Sequence, residues 1–260
     1  MTGLCNIRPS ARVLSSSERE DLRPRPYRPR DQRPIDRPPP PGGRMARMWG
    51  KWIDCRVRPG AHEAFAVGQQ RWSAISDQPG LVGQAGGWAP DGDRALLLAL
   101  WADEPAYTRF LRERHDRAAA DAAQHSAYSA IEVATGPVVL TVPGSSPSLP
   151  DALTRATVLR AADCRLHPGR ADHFLDVQHR LWAPGMAAAD GMLGGAVTRL
   201  APDRYLVTTL WTTPAAHHAY TTDHLPALLP RAAVPTDVHT LTGHLLPLEP
   251  SWLVLPVRSP

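Results

Sequence analysis

Hydrophobic and polar positions follow one pattern twice along this chain, first between about residues 48 and 143 and again between about residues 156 and 250. In the first stretch, residues 49–58 read as a strand that ends at a Pro-Gly turn. Apolar side chains then recur every three or four positions over residues 61–76, which is typical of an amphipathic helix. The same sequence of a strand and a helix opens the second stretch.

A hairpin, a helix and a last strand complete the pattern. Residues 80–88 and 94–102 are extended, and Asp91-Gly92 between them favours a hairpin turn because such turns need positive φ. The remaining elements are a helix and a strand, predicted over residues 105–123 and 127–142, the strand with an interruption at Gly136-Pro137. Each stretch therefore has the order β-α-β-β-α-β, which predicts a ferredoxin-like unit.

Particular residues recur together with the pattern. DCRVRPG at 54–60 returns as DCRLHPG at 163–169, and APDGDRALLLALW at 89–101 is answered by APDRYLVTTLW at 201–211. Self-similarity of this kind predicts an internal repeat. We expect four segments, namely a tail over residues 1–45, a first ferredoxin-like repeat over 46–143, a linker over 144–155, and a second, degenerate repeat with a C-terminal extension over 156–260.

The third strand of the first repeat, ALLLALW at 95–101, is apolar in both of its alternating sets of positions. A strand with one wet face alternates between apolar and polar residues, so this one should be covered on both faces. Helices cover only one face of a four-stranded sheet. We therefore predict an α+β fold in which the two repeats pack sheet against sheet as an intrachain dimeric α/β barrel, a pseudo-dimer within one chain.

Charge is concentrated in the first residues of the chain. Residues 1–44 hold ten of the 29 Lys and Arg residues and five of the 25 Asp and Glu residues, which leaves 19 basic and 20 acidic residues for the remainder. The same segment carries nine prolines and almost no apolar periodicity, which predicts a disordered tail. It is either a solvated extension or a ligand for acidic or aromatic surfaces. The nearly neutral body argues against a nucleic-acid partner.

Several classes of protein are disfavoured. The sequence has no run of 18 apolar residues and no secretory leader, so we predict no membrane span and a cytoplasmic location. Its three cysteines form neither a disulfide framework nor a metal spacing, which suits a reducing compartment. No nucleotide fingerprint, catalytic triad or paired carboxylates are found. We therefore expect no metal and no cofactor.

The segments KWIDCRV, QQRW, PGLVGQAGGW, LALW and FLRERHD within residues 51–116 resemble the YdbC-like family of uncharacterised bacterial proteins. That family is similar to the dimeric α/β-barrel group, which includes monooxygenases of the antibiotic-biosynthesis type. Members of the group variously act as cofactor-independent oxygenases, isomerase-like enzymes, haem-using enzymes or ligand-binding proteins. The resemblance implies the barrel fold, and it leaves the activity open among these.

The string GQAGGW at 83–88 is the most unusual part of the first repeat. Its glycines either open a cleft, with Gln84 and Trp88 binding a substrate, or relieve crowding where the two sheets meet. The second repeat has GGAVTR at the corresponding place, so a site is predicted in the first repeat alone. Trp72 and Trp101 are further candidates for binding an apolar molecule, although the core is the favoured interpretation for both.

His115 is the candidate catalytic residue because it borders the apolar stripe of its helix and could act as a general base. Asp116 follows it, but adjacent helix residues do not face each other, so we expect Asp116 not to orient the imidazole. The alternative for His115 is a hydrogen bond to the backbone. We predict a protein that binds a small apolar or aromatic molecule, either as a cofactor-independent monooxygenase or isomerase-like enzyme, or as a ligand sensor or interaction protein without turnover.

Overall fold

Residues 47–257 are described by a computed structural model, so the tail predicted for residues 1–45 lies outside the described residues. The first half runs in the order β1 (Trp49–Val57), α1 (His62–Arg71), β2 (Leu81–Trp88), β3 (Arg94–Trp101), α2 (Glu104–Phe110), α3 (Asp116–Ala122) and β4 (Tyr128–Val142). A 3-10 turn, Trp72–Ile75, follows α1, and a π-type turn, Leu111–His115, joins α2 to α3.

The second half repeats this order after a short helix, α4 (Leu149–Arg155). Its elements are β5 (Val158–Leu166), α5 (Ala171–Val177), α6 (Ala183–Ala187), β6 (Met192–Ala201), β7 (Arg204–Trp211), α7 (Pro214–Ala219), α8 (Leu225–Ala232), α9 (Val234–Asp237) and β8 (Val238–Pro247). Two π-type turns, Gln178–Trp182 and Tyr220–His224, and a final 3-10 turn, Pro250–Trp252, complete it.

The eight strands form one antiparallel sheet in the order β2-β3-β1-β4-β6-β7-β5-β8. The predicted interruption of β4 at Gly136-Pro137 is wrong, because β4 continues through it and changes partner there. β4 pairs with β1 up to Pro137 and with β6 from Val138 onwards. A side chain at Gly136 would overlap the carbonyl oxygen of Arg199 in β6, so glycine is what lets the two backbones approach.

The sheet curls until its two outer strands, β2 and β8, meet. The backbone N–H of Glu249, just after β8, donates to the carbonyl of Gly86 in β2 at 2.9 Å. A side chain at Gly87 would overlap the carbonyl oxygen of Pro247 at the end of β8. The segment just beyond β8 therefore provides the hydrogen bonds to β2 where the two ends of the sheet come together.

The inner face of this curled sheet forms one core shared by both halves. Every residue from Ala95 to Trp101 is at most 2% exposed, as the two apolar sets of that strand predict. One set, Leu96, Leu98 and Leu100, packs against inner residues of the second half, namely Leu159, Leu193, Leu206, Leu210 and Leu246. The other set faces the helices of the first half.

The segment predicted as a turn-rich linker contains a helix that closes one side of this core. Ser148 caps α4 by accepting a hydrogen bond from the backbone N–H of Asp151 at 3.2 Å, and Pro150 is tolerated in the first turn. Leu149 and Leu153 are buried in the inner core. The prolines of this segment suit a helix start as well as a loop, which is why composition alone misses the helix.

The recurring aspartates of the two DCR motifs form ion pairs. Asp54 accepts from the Arg94 guanidinium at 2.9 Å, and Asp163 accepts from Arg204 at 2.5 Å. Arg204 also reaches Glu132 of β4 at 2.7 Å, so it joins the second half to the first. Within residues 47–257 no helix is long and apolar enough to cross a membrane.

Candidate functional site

A cavity of about 240 Å³ lies between the outer face of the first-half sheet and the helices that cover it. Sheet and helices contribute a mainly apolar lining with a few polar groups. The lining residues are Lys51, Ile53, Cys55, Phe65, Gln69, Trp72, Gln84, Leu97, His115, Ala119, Gln124, His125, Tyr128, Ile131 and Val133. Three of the five predicted site residues, Trp72, Gln84 and His115, are thus brought together from separate elements.

Two polar residues face the cavity from strands on either side of β3. Lys51 of β1 and Gln84 of β2 are both paired with Ala99 of β3, so the three residues form a row across the sheet. Residues in such a row point to the same face. Because Ala99 contributes only a methyl group, it leaves space between the two longer side chains.

Gln84 is held firmly by its backbone while its side-chain amide nitrogen is left without a partner. Its backbone N–H and carbonyl form a bridge with Val254 in the segment beyond β8. The residue is 5% exposed, yet Nε2 has no hydrogen-bond partner among the described residues. An unpartnered buried donor costs free energy, so a bound acceptor would satisfy it.

His115 lies at the rim of the cavity, with its ring 5.9 Å from the ring of Trp72. Its Nδ1 lies 3.1 Å from Oδ1 of Asp116, so the expectation that Asp116 could not orient this imidazole is wrong. The π-type turn that ends at His115 has more residues per turn than an α-helix and therefore changes the phase of the side chains there. With Asp116 accepting from Nδ1–H, Nε2 is left as the basic nitrogen.

A hydrogen-bonded chain forms one wall of the cavity. The indole N–H of Trp72 donates to Oε1 of Gln124 at 2.9 Å. The Gln124 amide nitrogen donates in turn to the backbone carbonyl of Phe65 at 2.8 Å and to Oε1 of Gln69 at 3.3 Å. The Trp72 ring is therefore fixed in place, as a binding surface for an apolar molecule requires.

Lys51 also lines the cavity, and the sequence analysis does not single it out. It is 8% exposed, and burial lowers the pKa of its amine to about 8. Burial also raises the pKa of the nearby Cys55 thiol to about 12, with Asp54 adding to the shift, so this thiol stays neutral. A signal was present in the sequence, because lysine stands on the face of the first strand that otherwise carries Trp49, Ile53 and Cys55.

Trp88 and Trp101 are placed elsewhere. Trp88 is on the same face of the sheet, but its ring packs 5.7 Å from Phe65 and 5.2 Å from Trp252, so Phe65 separates it from the cavity. Trp101 is 1% exposed and stacks on Phe110 at 4.8 Å. Neither residue lines the cavity. Trp101 lies in the hydrophobic core, which was the alternative for it from the sequence.

The glycines of GQAGGW do not line the cavity either. Gly87 permits the approach of Pro247, and a side chain at Gly86 would collide with the backbone carbonyl of Leu96. Gly83, with φ of +158°, is crowded by Leu153 of α4. Their role in the described structure is therefore close packing, and Gln84 is the residue of this string that reaches the cavity.

The second half has no equivalent arrangement among the described residues. The row that corresponds to Lys51, Ala99 and Gln84 is Arg160, Thr209 and Gly195, which lacks the amide. Tyr205, 1% exposed, fills the space on this face next to Cys164. A second cavity, of about 190 Å³, lies elsewhere, and the ion pairs Asp54–Arg94 and Asp163–Arg204 are part of its lining.

Within the part of the chain that the structure describes, no group of three or more His, Cys, Asp or Glu side chains is arranged to hold a metal ion. His217 and His224, which share a helix face in sequence, lie against Trp211 and Tyr220 as aromatic neighbours.

Comparison with known sequences decides the family. Residues 50–135 match a domain of unknown function, DUF4937. Over 86 residues the chain is 34% identical to the uncharacterised protein YdbC of Bacillus subtilis (strain 168), which covers 32% of this chain and 72% of that protein. The chain belongs to the YdbC family. The matched region contains β1 to most of β4, and therefore most of the residues that line the cavity.

Solved structures show the fold. Two proteins described as a "putative monooxygenase" superpose well. The one from Lactobacillus acidophilus NCFM has a TM-score of 0.63 at 12% identity, covering 80% of this chain and 96% of that one. The one from Fusobacterium nucleatum has a TM-score of 0.64 at 10% identity, covering 78% and 93%. An anthrone oxidase-like protein has a TM-score of 0.53 at 13% identity, covering 78% and 91%. These likenesses show the fold alone, an α+β architecture in which each half has the order β-α-β-β-α-β.

Proposed function

We propose that the first half binds a small, largely apolar or aromatic molecule in the 240 Å³ cavity and acts on it as a cofactor-independent monooxygenase or isomerase-like enzyme. The observation that carries this proposal is that Trp72, Gln84 and His115, from three separate elements, line one cavity. A general base (His115) beside an aromatic ring (Trp72) and a hydrogen-bonding amide (Gln84) is an arrangement suited to proton abstraction.

The size of the cavity limits the ligand. An apolar cavity of about 150 Å³ holds benzene, so the volume here suits a molecule of two or three fused rings at most. The apolar walls, Ile53, Leu97 and Val133 among them, would cover the rings. The polar groups at Gln84 and His115 would orient one oxygen of the ligand.

His115 would supply the chemistry. Its Nε2 would take a proton from an acidic C–H or O–H group of the ligand, while Asp116 stabilises the resulting imidazolium. In an oxygenase, the resulting ligand anion would form a C–O bond to molecular oxygen at a CH carbon, the peroxide would take the proton back from the His115 imidazolium, and loss of water from the hydroperoxide would leave a carbonyl group. In an isomerase, the anion would instead regain that proton at another carbon. The fold shared with proteins described as monooxygenases and as anthrone oxidase-like supports the first of these.

We also propose that the chain is an intrachain pseudo-dimer produced by duplication. This proposal is supported by the element order, which is the same in both halves, and by the register of β1 with β3, which matches that of β5 with β7. Asp54 and Asp163 occupy corresponding positions in these two pairs. The second half would serve as scaffold. Each half of the chain carries one buried free thiol, Cys55 in the first and Cys164 in the second, which supports action in a reducing compartment such as the cytoplasm, with a small molecule as the partner.

Binding is tested by blocking the cavity. Ala119 of α3 lines it, whereas the neighbouring Ala120 is exposed. We expect anthrone to quench the tryptophan fluorescence of the wild type and of Ala120→Phe with equal affinity, and Ala119→Phe to bind at least about tenfold more weakly because its ring occupies the site. Equal binding by both variants would place the ligand elsewhere.

Turnover is tested with an oxygen electrode and anthrone as the substrate. His115→Gln should lower oxygen uptake by roughly 100-fold or more while leaving the dissociation constant nearly unchanged, because a general base contributes to the rate rather than to binding. His179→Gln, an exposed histidine of the second half, is the control. Binding without oxygen uptake or rearrangement of the substrate would instead indicate a ligand sensor.

A further inference from the structure

Two side chains of the cavity carry N–H groups that no described residue satisfies with a charge or an acceptor. Lys51 makes no ion pair with any described carboxylate. Gln84 Nε2 has no acceptor within residues 47–257. Both side chains line the same cavity from the strands on either side of Ala99.

A buried ammonium group is costly unless a charge or several acceptors satisfy it. The Lys51 amine lies 5.9 Å from the ring centroid of Tyr107, which offers at most a weak cation–π attraction. The pKa of the Cys55 thiol is raised to about 12 and that of the Tyr128 hydroxyl is also raised, in both cases mainly by burial, so neither becomes a counter-ion near neutral pH. The compensating negative charge is therefore missing from the described residues around this amine.

We propose that the ligand is an aromatic molecule with one anionic oxygen, a carboxylate or an ionised phenol or enol, and that Lys51 and Gln84 bind that oxygen. This inference rests on the proposed function, since it names the class of molecule that the same cavity binds. The amine supplies the charge and the amide supplies a directed N–H donor. A hydrogen bond that involves a charged group is the strong kind in a buried site.

The geometry also explains why the site is confined to one half. Arg160 stands where the first half has Lys51, but the residue in the place of Gln84 is Gly195, which has no donor side chain. Thr209, in the place of Ala99, accepts the indole N–H of Trp211 at 2.9 Å and fills the space between them. The second half thus retains a cation without the cavity or the amide.

Matched probes test the charge. We expect the wild type to bind 2-naphthoate at least about tenfold more tightly than 2-naphthamide, which has nearly the same shape and no charge. Lys51→Met should remove that preference while binding 2-naphthamide as the wild type does. Arg160→Met, at the matching position of the second half, should leave the preference unchanged. Circular dichroism and thermal melting verify that each variant is folded.

A third probe, 2-naphthol, distinguishes the two sources of the anionic oxygen. If the site holds an ionised phenol or enol, the absorption of bound 2-naphthol shifts to the longer wavelengths of the naphtholate, and Lys51→Met abolishes the shift. If the site holds a carboxylate, 2-naphthol binds without the shift and 2-naphthoate binds most tightly. Either result supports the proposal, and Gln84→Leu should weaken the preferred probe in both cases.

Two outcomes would overturn the proposal. Equal binding of 2-naphthoate and 2-naphthamide with no spectral shift of 2-naphthol, or a preference for the anion that survives Lys51→Met, would show that Lys51 does not receive an anion. Both leave the proposed binding of an aromatic molecule intact. Failure of all the naphthalene probes and of anthrone to bind would instead contradict the proposed function itself.

Discussion

Gln84 and Val254 are joined by two backbone hydrogen bonds, of 2.8 and 2.9 Å, one donated by each N–H group. The segment beyond β8 is thereby attached to the strand that carries the cavity's amide. Just before Val254, Trp252 is 1% exposed and packs edge-on against Phe65 and Trp88. The end of the second half thus forms part of the support for the candidate site in the first.

Trp252→Ala should therefore destabilise the protein. Removing a fully buried indole from an aromatic cluster costs about 3–5 kcal/mol in the free energy of unfolding. Urea denaturation followed by circular dichroism measures it. Val257→Ala is the control, since Val257 is 66% exposed and its truncation should change the free energy by less than about 0.5 kcal/mol. Equal effects of the two substitutions would show that the segment is not packed as described.

Closure of the sheet should depend on the absence of a side chain at residue 87. Gly87→Ala would place a methyl group against the carbonyl oxygen of Pro247, and we expect a loss of about 1–3 kcal/mol because β2 and β8 must move apart. Gly243→Ala in β8, where the added methyl group meets only Leu241 at 3.9 Å, is the matched control. If the two variants have the same urea midpoint, β2 and β8 do not approach each other as closely as described.

Lys51 should make stability depend on pH in a particular direction. Its pKa is about 8 in the folded protein and near 10.5 in the unfolded chain, so between these values the unfolded state holds one proton more. The free energy of unfolding therefore rises with pH across that window. Below pH 8 the amine is protonated in both states, so its effect on stability no longer changes with pH. Lys51→Met should be the more stable protein at pH 7, by as much as about 3 kcal/mol, and should lose that advantage towards pH 10.5.

The comparison of wild type with Lys51→Met isolates this residue, because the other titrating groups contribute to both proteins. Urea denaturation at half-unit steps from pH 7 to 10.5 supplies the two curves. If the free energies of unfolding of the two proteins differ by the same amount at every pH, the amine is as well solvated in the folded protein as in the unfolded chain.

His217 should make the protein sensitive to acid. Burial lowers the pKa of its imidazole to about 4, with Arg160 adding to the shift, and its Nε2 has no partner among the described residues. Between pH 6.5 and 4 the unfolded chain binds a proton that the folded protein excludes, so stability falls as the pH falls through this window. His217→Phe keeps an aromatic ring against Trp211 and should remove this part of the acid sensitivity.

Thermal melting from pH 7 to 4 checks that prediction. His179→Phe is the control, because His179 is exposed and is not among the groups that lower the pKa of His217. The melting temperature of His217→Phe should fall less than that of either the wild type or His179→Phe. A fall of equal size in all three proteins would assign the acid sensitivity to other groups.

Much of the candidate site was accessible from the sequence, and the part that was not has a physical explanation. Alternation along a strand predicts which side chains share a face, and this is sufficient to place Gln84 with the covering helices. It does not show how deep a side chain lies or what stands opposite, so Trp88 and Trp101 were grouped with the cavity although Phe65 and Phe110 cover them. A local rule for regular helices also excluded the contact between His115 and its neighbour, which a π-type turn allows.

By itself the sequence determined the β-α-β-β-α-β order within each half, the burial of both faces of β3 (Arg94–Trp101) and the resemblance to the YdbC family, because these depend on periodicity and on residues close together in the chain. Only the tertiary structure decided that Lys51, Gln84 and His115 share one cavity. Their proximity results from strand pairing, the placement of the covering helices and the return of the chain's last residues to β2. These are long-range contacts, and no local pattern in the sequence encodes them.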